Sequence, residues 1–257
     1  MSATLVKSLA NSIALVTGAS SGLGRHFATV LANAGATMAL AARRTEQLEE
    51  LARSIEATGG RALAVRMDVT SGESVRTAFD RIEATLGTPD LIVNTAGIVI
   101  AKPLLEQTEA DWDAVLDTNL KGAFLVSTDG ARRLRMQRRS GSIINIASIL
   151  GFRQAGNVTP YATSKAGMVQ LTRSMALELA RFDIRVNAIA PGYVDTEMNS
   201  EFWGTPQGAE MLKRIPQRRL GKPEELDGAL LLLASNTSTY MTGTVITVDG
   251  GHLVSTL

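Results

Sequence analysis

The chain has 257 residues, of which 45% are hydrophobic and 20% charged, and its formal net charge is +1. That length suits one α/β domain with a continuous core, and the near-neutral balance gives no electrostatic footprint for nucleic acid. There is no cysteine, which excludes disulfides and thiolate metal sites. The two histidines, His26 and His252, lack metal-ligand spacing and are expected in packing or at the surface.

The stretch MSATLVKSLANS lacks the apolar core of a signal peptide, and the apolar run at 226–235 is too short to span a bilayer. The expectation is a soluble cytoplasmic protein. From residue 12 onward, β-rich runs alternate with helix-length amphipathic stretches. Strands are expected at 12–18, 36–42, 62–68, 90–97, 141–148, 184–192 and 243–251. Their apolar runs are nearly continuous, as in strands buried on both faces. Helices are expected at 23–34, 45–58, 71–86, 109–138 and 161–181, where apolar residues recur at spacings of three and four. This alternation implies one α/β domain over 1–257, with a doubly wound parallel sheet of about seven strands flanked by helices. No linker, repeat or low-complexity tract interrupts it.

The first expected strand runs into TGASSGLG, Thr17 to Gly24, and then a helix. Gly18 permits a tight turn, Gly22 lets the backbone approach a pyrophosphate, and Gly24 lets the helix sit close to the sheet. Ser20, Ser21 and Leu23 complete the loop. The helix N-terminus then offers N–H groups to an anion, as in a Rossmann dinucleotide site. GASSG also matches the G-x-S-x-G nucleophile elbow of α/β-hydrolases, with Asp249 and His252 downstream. That elbow normally follows several earlier strands, and it leaves the tyrosine and lysine described next without a role. The second strand ends AARR with no carboxylate. Arg43 offers a planar fork suited to a 2′-phosphate, which favours NADP over NAD. The bland alternative is that Arg43 and Arg44 solvate the start of the next helix.

Tyr161 and Lys165 stand four apart on an expected helix and share a face. A free phenol has a pKa near ~10, and a neighbouring ammonium favours the phenolate. A lysine can also donate to ribose hydroxyls. Ser148 closes the fifth strand, where its hydroxyl could meet a substrate oxygen beside the phenol. Asn119 in DTNLKG could break a helix locally and hold a water. Taken singly, Ser148 is a turn residue, Asn119 a helix cap and Asp68 an N-cap.

Together these residues resemble the short-chain dehydrogenase/reductase family in its compact single-domain form, over almost the whole chain. The resemblance rests on T-G-x-x-x-G-x-G at 17–24, Asp68-Val69, N-T-A-G at 94–97, Asn119, Ser148, Y-x-x-x-K at 161–165, and Pro191-Gly192 with Thr196. It implies that Tyr161 is the acid in reduction and the base in oxidation, and that Ser148 polarises the carbonyl. Lys165 would bind the nicotinamide ribose and tune Tyr161, while Asn119 would hold a relay water. Asp68 and Val69 would meet the adenine, and Asn94, Ala96 and Gly97 would lie along the cofactor. Pro191, Gly192, Val194 and Thr196 would position the nicotinamide. Thr95 departs from the family's more common second asparagine.

Leu150, Tyr193, Met198, Phe202 and Trp203 are candidates for substrate contact. The last three sit in a stretch, 193–223, that reads as a flap over a pocket or as a self-packed surface excursion. Their character, with Ile98-Val99-Ile100, suggests a largely apolar substrate. The leading expectation is an NADP(H)-dependent oxidoreductase interconverting a ketone and a secondary alcohol. A 3-oxoacyl-carrier-protein reductase, an NAD-dependent sugar or polyol dehydrogenase, and a non-catalytic dinucleotide sensor remain as alternatives. The intact Asn/Ser/Tyr/Lys set argues against the sensor. ARRLRMQRR, 131–139, holds five arginines and would suit an acidic carrier protein, or simply a helix C-terminus. The second docking arginine of the carrier reductases is replaced by Phe182, with Arg181 before it. The resemblance also implies a homotetramer packed through the helices bearing Asn119 and Tyr161.

Overall fold

The computed structural model describes residues 9–195 and 205–255. The seven apolar runs form strands β1 (Ile13–Thr17), β2 (Thr37–Ala42), β3 (Ala62–Arg66), β4 (Leu91–Asn94), β5 (Gly141–Ile146), β6 (Ile184–Pro191) and β7 (Val245–Val248). All pairings are parallel, in the order β3-β2-β1-β4-β5-β6-β7. The chain winds outward from β1 to β3, then returns to place β4 beside β1. That reversal opens a crevice at the carboxyl ends of β1 and β4, the place where sheets of this kind hold ligands.

The helices are α1 (Gly22–Asn33), α2 (Thr45–Ala57), α3 (Gly72–Thr85), α4 (Glu109–Leu116), α5 (Gly122–Met136), α6 (Thr159–Leu179), α7 (Pro206–Leu212) and α8 (Asp227–Ala234). In α3, α4 and α6 apolar or capping signals mark where the helix starts. In α3, Val75, Ala78, Phe79 and Ile82 make one buried stripe, and the Ser71 side chain accepts from the Ser74 amide. Thr108 and Asp111 close a capping box on α4. Pro160 sits in the first turn of α6, where its missing N–H costs nothing. Ala14 and Val16 of β1 pack on the side of α1, α2 and α8 with Phe27, Leu48 and Leu230. Leu15 packs on the other side with Phe79 of α3 and Val126 of α5. The sheet is thus buried on both faces, which is why its strands lack polar alternation.

Three departures from the sequence reading have local causes. The single helix expected at 109–138 is divided by a π-helical turn, Asp117–Lys121, centred on Asn119. The strand expected to reach residue 97 stops at Asn94, because the Thr95 and Ala96 amides turn to the Thr17 hydroxyl at 3.1 and 3.2 Å. The apolar run at 226–235 forms α8 across the back of the sheet. Among the described residues, no helix is long and apolar enough to cross a membrane.

Phe27 is fully buried in the core, whereas Leu105 is 98% exposed. Phe27→Ala is expected to cost about 3–5 kcal/mol, and Leu105→Ala no more than about 0.5 kcal/mol, in urea unfolding. Similar costs for both would contradict this assignment of the core.

Candidate active site

The glycine loop is built by close backbone contact. A Cβ on Gly24 would lie 2.3 Å from the Gly18 carbonyl oxygen. Gly18 has φ +67°, and a Cβ there would meet Ala96 at 2.9 Å. With Thr17 holding the amides of residues 95 and 96, the loop and the segment after β4 are locked together. A cleft of about 970 Å³ opens above them. Gly18, Ser20, Ser21, Gly22, Leu23 and Gly24 line one side of it. No side chain caps α1, so its first-turn amides face an anion site without a built-in partner.

Ser20 and Ser21 are engaged elsewhere. Arg44 donates to Ser20 Oγ at 3.0 Å and to Ser21 Oγ at 2.7 Å. Arg43 also lines the cleft. The sequence reading gave the phosphate fork to Arg43 alone; Arg44 lies beside it in the cleft, fastened across the loop. Among the described residues, neither arginine stands within ion-pair distance of a carboxylate. Asp68 and Val69 line the cleft next to them. Burial pushes the Asp68 carboxyl up, but the Thr70 hydroxyl and amide, with Arg43 and Arg66, outweigh it and hold the group below its ordinary value.

At the other end, Ser148, Leu150, Tyr161, Lys165, Pro191, Gly192, Tyr193 and Val194 share the same cleft. Ser148 lies two residues beyond β5 and caps a short turn, its Oγ accepting from the Leu150 amide at 3.1 Å. Lys165 is 5% exposed, and its Nζ donates to the Ile146 carbonyl at 2.7 Å. The same Nζ lies 5.5 Å from the Tyr161 ring centroid. Burial brings Lys165 down to about 8. The Tyr161 phenol is raised by its own burial, and the nearby Ser148 hydroxyl only partly opposes this. The sequence reading has the lysine lowering the phenol. In this structure desolvation of the phenol dominates, and the ammonium is turned to Ile146.

Asn119 and Asn94 lie behind the cleft wall. Asn119 is fully buried, accepts from the Ile98 amide at 2.8 Å, and donates to the Ile98 carbonyl at 2.9 Å and to Ser164 at 3.0 Å. A Cβ on Gly97 would sit 3.3 Å from Asn119 Oδ1 and 3.8 Å from Lys165 Nζ, so Gly97 separates the two. Asn94 donates to Ser127 at 2.7 Å and to Asn145 at 2.8 Å, which makes it a strut under the site rather than part of its lining. Thr95, Ala96 and Gly97 form the lining there. Thr196, Met198, Phe202 and Trp203 fall outside the described residues. Arg153 and Arg214 line the cleft without having been singled out from the sequence, and Arg44 and His252, named there without a role in a cofactor or substrate site, line it too. No short motif marks them, since their partners are distant in the chain.

A family model described as enoyl-(acyl carrier protein) reductase matches residues 18–252. The chain belongs to the short-chain dehydrogenase/reductase family, whose members are dehydrogenases and reductases acting on CH–OH and C=O groups. Among its relatives, the 3-oxoacyl-(acyl-carrier-protein) reductase of Thermotoga maritima is 38% identical over 248 residues, 96% of this chain and 99% of that one. The cis-4-hydroxycyclohexanecarboxylate dehydrogenase of Sinomonas cyclohexanicum is 39% identical over 249 residues, 96% and 98% of the two chains. A solved structure of a gluconate 5-dehydrogenase from Burkholderia cenocepacia, in complex with NADP and tartrate, superposes with a TM-score of 0.94. It is 36% identical, covering 99% of this chain and 100% of that one.

The buried lysine has a measurable consequence. Below pH about 8 the folded protein must hold a charged amine in its interior. Between about 8 and the ordinary value of 10.5, the folded state has released this proton while the unfolded state keeps it, so stability rises with pH. Relative to Lys165→Met, the parent is expected to gain up to roughly 1.4 kcal/mol per pH unit across that window. Urea unfolding of both proteins between pH 7 and 10 checks this. A difference that stays flat contradicts it.

Proposed function

We propose that this chain is an NADP(H)-dependent oxidoreductase that interconverts a ketone and a secondary alcohol, with Tyr161 as acid and base. One observation carries the reading: Ser148, Tyr161 and Lys165 meet in a cleft that also holds the glycine loop with Arg43 and Arg44, neither of them ion-paired among the described residues. The cleft fits the cofactor. Gly18 and Gly24 hold a backbone cradle that a Cβ would fill, α1 begins uncapped, and β2 is followed by Arg43 and Arg44 with no carboxylate. That last pattern favours NADP over NAD, in keeping with the NADP bound to the gluconate 5-dehydrogenase relative.

When bound, the cofactor supplies a hydride for the carbonyl carbon. The protein supplies the proton. Burial keeps the Tyr161 hydroxyl protonated at neutral pH, ready to donate to the carbonyl oxygen, and Ser148 offers that oxygen a second hydrogen bond. Lys165 would hold the ribose and, when charged, favour the phenolate left after transfer. The π-helical turn at Asn119 would seat the water that returns the proton, and Asp68 would meet the adenine. Residues 193–223 would close over the substrate.

A carrier-protein substrate fits less well. Arg133 is paired with Asp80, Glu83 and Asp129, and Arg139 with Asp90. Arg135 and Arg181 lie over the Phe182 ring. Much of the charge in the 131–139 stretch is therefore spent within the chain. A homotetramer accords with the exposed Trp112, Phe124 and Leu177 on α4, α5 and α6. The lack of cysteine accords with a reducing compartment such as the cytoplasm.

Tyr161→Phe is expected to lower kcat by about 10²–10⁴ while leaving NADPH affinity within a few fold, as read by steady-state kinetics and fluorescence titration. Unchanged turnover would rule out the phenol as the acid. NADPH is expected to bind more tightly than NADH, and the double variant Arg43→Gln/Arg44→Gln to remove the difference. Equal binding of both cofactors by the parent would overturn the NADP assignment.

A further inference from the structure

Three basic side chains from separate segments line the substrate end of the cleft. Arg153 follows the short turn after Ser148, Arg214 follows α7, and His252 opens a turn after β7. Arg153 donates to Ser255 Oγ at 3.1 Å and to the His252 carbonyl. Among the described residues, no carboxylate stands within ion-pair distance of Arg153 or Arg214. His252 is 4% exposed and packs 5.5 Å from the Tyr193 ring. Its Nδ1 is buried and has no hydrogen-bond partner among the described residues. Asp249, whose charge reaches His252, is already occupied: its oxygens accept from the Gly251 amide at 2.9 Å and the Leu253 amide at 2.5 Å.

Two guanidinium groups thus line this cleft with no ion-paired carboxylate among the described residues, beside a buried His252 Nδ1 that has no hydrogen-bond partner among them. Arg153 is half-buried and Arg214 exposed, so both keep solvent, and a carboxylate in the cleft would offer them charge-assisted hydrogen bonds. The field of the arginines is felt locally. Burial raises the Tyr193 phenol while Arg153 and Arg214 pull it back. Burial and Arg153 lower His252, with Arg214 adding to them against Asp249. This positive end is apart from the glycine loop, where Arg43 and Arg44 serve the cofactor's phosphate. Ile98, Val99 and Leu150 add apolar surface to the same cleft.

We propose that Arg153, Arg214 and His252 form the carboxylate-binding end of the substrate pocket, so that the substrate is a keto or hydroxy acid with an apolar spacer, held by its carboxylate while its carbonyl lies at Tyr161. Guanidinium forks match a carboxylate in two parallel hydrogen bonds and would fix which carbonyl reaches the phenol. The inference rests on the reductase reading and names the substrate class for it.

The test compares 4-oxocyclohexanecarboxylate with its methyl ester at saturating NADPH. The acid is expected to exceed the ester by at least about tenfold in kcat/KM, the scale of one charge-assisted hydrogen bond. Arg214→Gln and Arg153→Gln should each lower that ratio about tenfold, through KM for the acid. Arg153 also holds the turn at His252 and Ser255, so Arg214, which has no such bond among the described residues, carries the test if Arg153→Gln does not fold. Equal turnover of acid and ester, or an Arg214→Gln variant with the parent ratio, overturns the inference and leaves the reductase reading standing. If neither compound is reduced, the reductase reading fails for these ketones. Calorimetric titration of the NADP⁺ complex with 4-hydroxycyclohexanecarboxylate and its methyl ester then decides the anion site: selective binding of the acid supports it, and equal or absent binding overturns it.

Discussion

One hydrogen bond organises the reactive end of this molecule, that from Lys165 Nζ to the Ile146 carbonyl at 2.7 Å. It ties the first turns of α6 to the end of β5. Ser148 lies two residues beyond the acceptor and Tyr161 one helical turn before the donor, so this contact brings the two hydroxyls into one cleft. Keeping an amine buried is unfavourable, and the protein yields part of its charge stability by bringing Lys165 down to about 8. The surroundings are shaped to tolerate it. Gly97 leaves close room there, since a Cβ would stand 3.8 Å from Nζ and 3.3 Å from Asn119 Oδ1. Asn119 is in turn held by both backbone groups of Ile98, in a helix widened at that point to admit it.

Beneath this layer runs a buried polar network. Asn94 donates to Ser127 and to Asn145, Asn145 donates to Thr172, and Thr172 donates to the Met168 carbonyl. These bonds join β4, β5, α5 and α6 under the site. Networks of this sort give a core one arrangement, because any slip leaves several polar groups unsatisfied at once. Asn94 Oδ1 stays buried in it with no hydrogen-bond partner among the described residues.

The fold was legible in the sequence because parallel strands buried on both faces leave long apolar runs, and glycine and polar residues mark where they stop. All seven strands and the first three helices lie where the pattern puts them, within a few residues. The division of the fourth expected helix was not legible, because a π turn leaves no periodic signature. Tyr161, Lys165 and Ser148 stood out by spacing. Asn94 was misplaced because its motif names a neighbourhood, while the direction of its amide is decided by Ser127 and Asn145, far away in sequence. Arg44 was passed over because nothing in AARR says which arginine bends back to the serines. Arg153, Arg214 and His252 come from three distant segments, and only the folded chain brings them to one wall.

In the proposed reaction a hydride passes to the carbonyl carbon in this cleft while Tyr161 gives the proton. The most direct measurement follows label from NADPH carrying deuterium at both C4 positions into the product formed from 4-oxocyclohexanecarboxylate, by mass spectrometry and NMR. The account predicts one deuterium on the carbinol carbon of the alcohol, with none reaching solvent. NADPH consumption that leaves the alcohol unlabelled would contradict it.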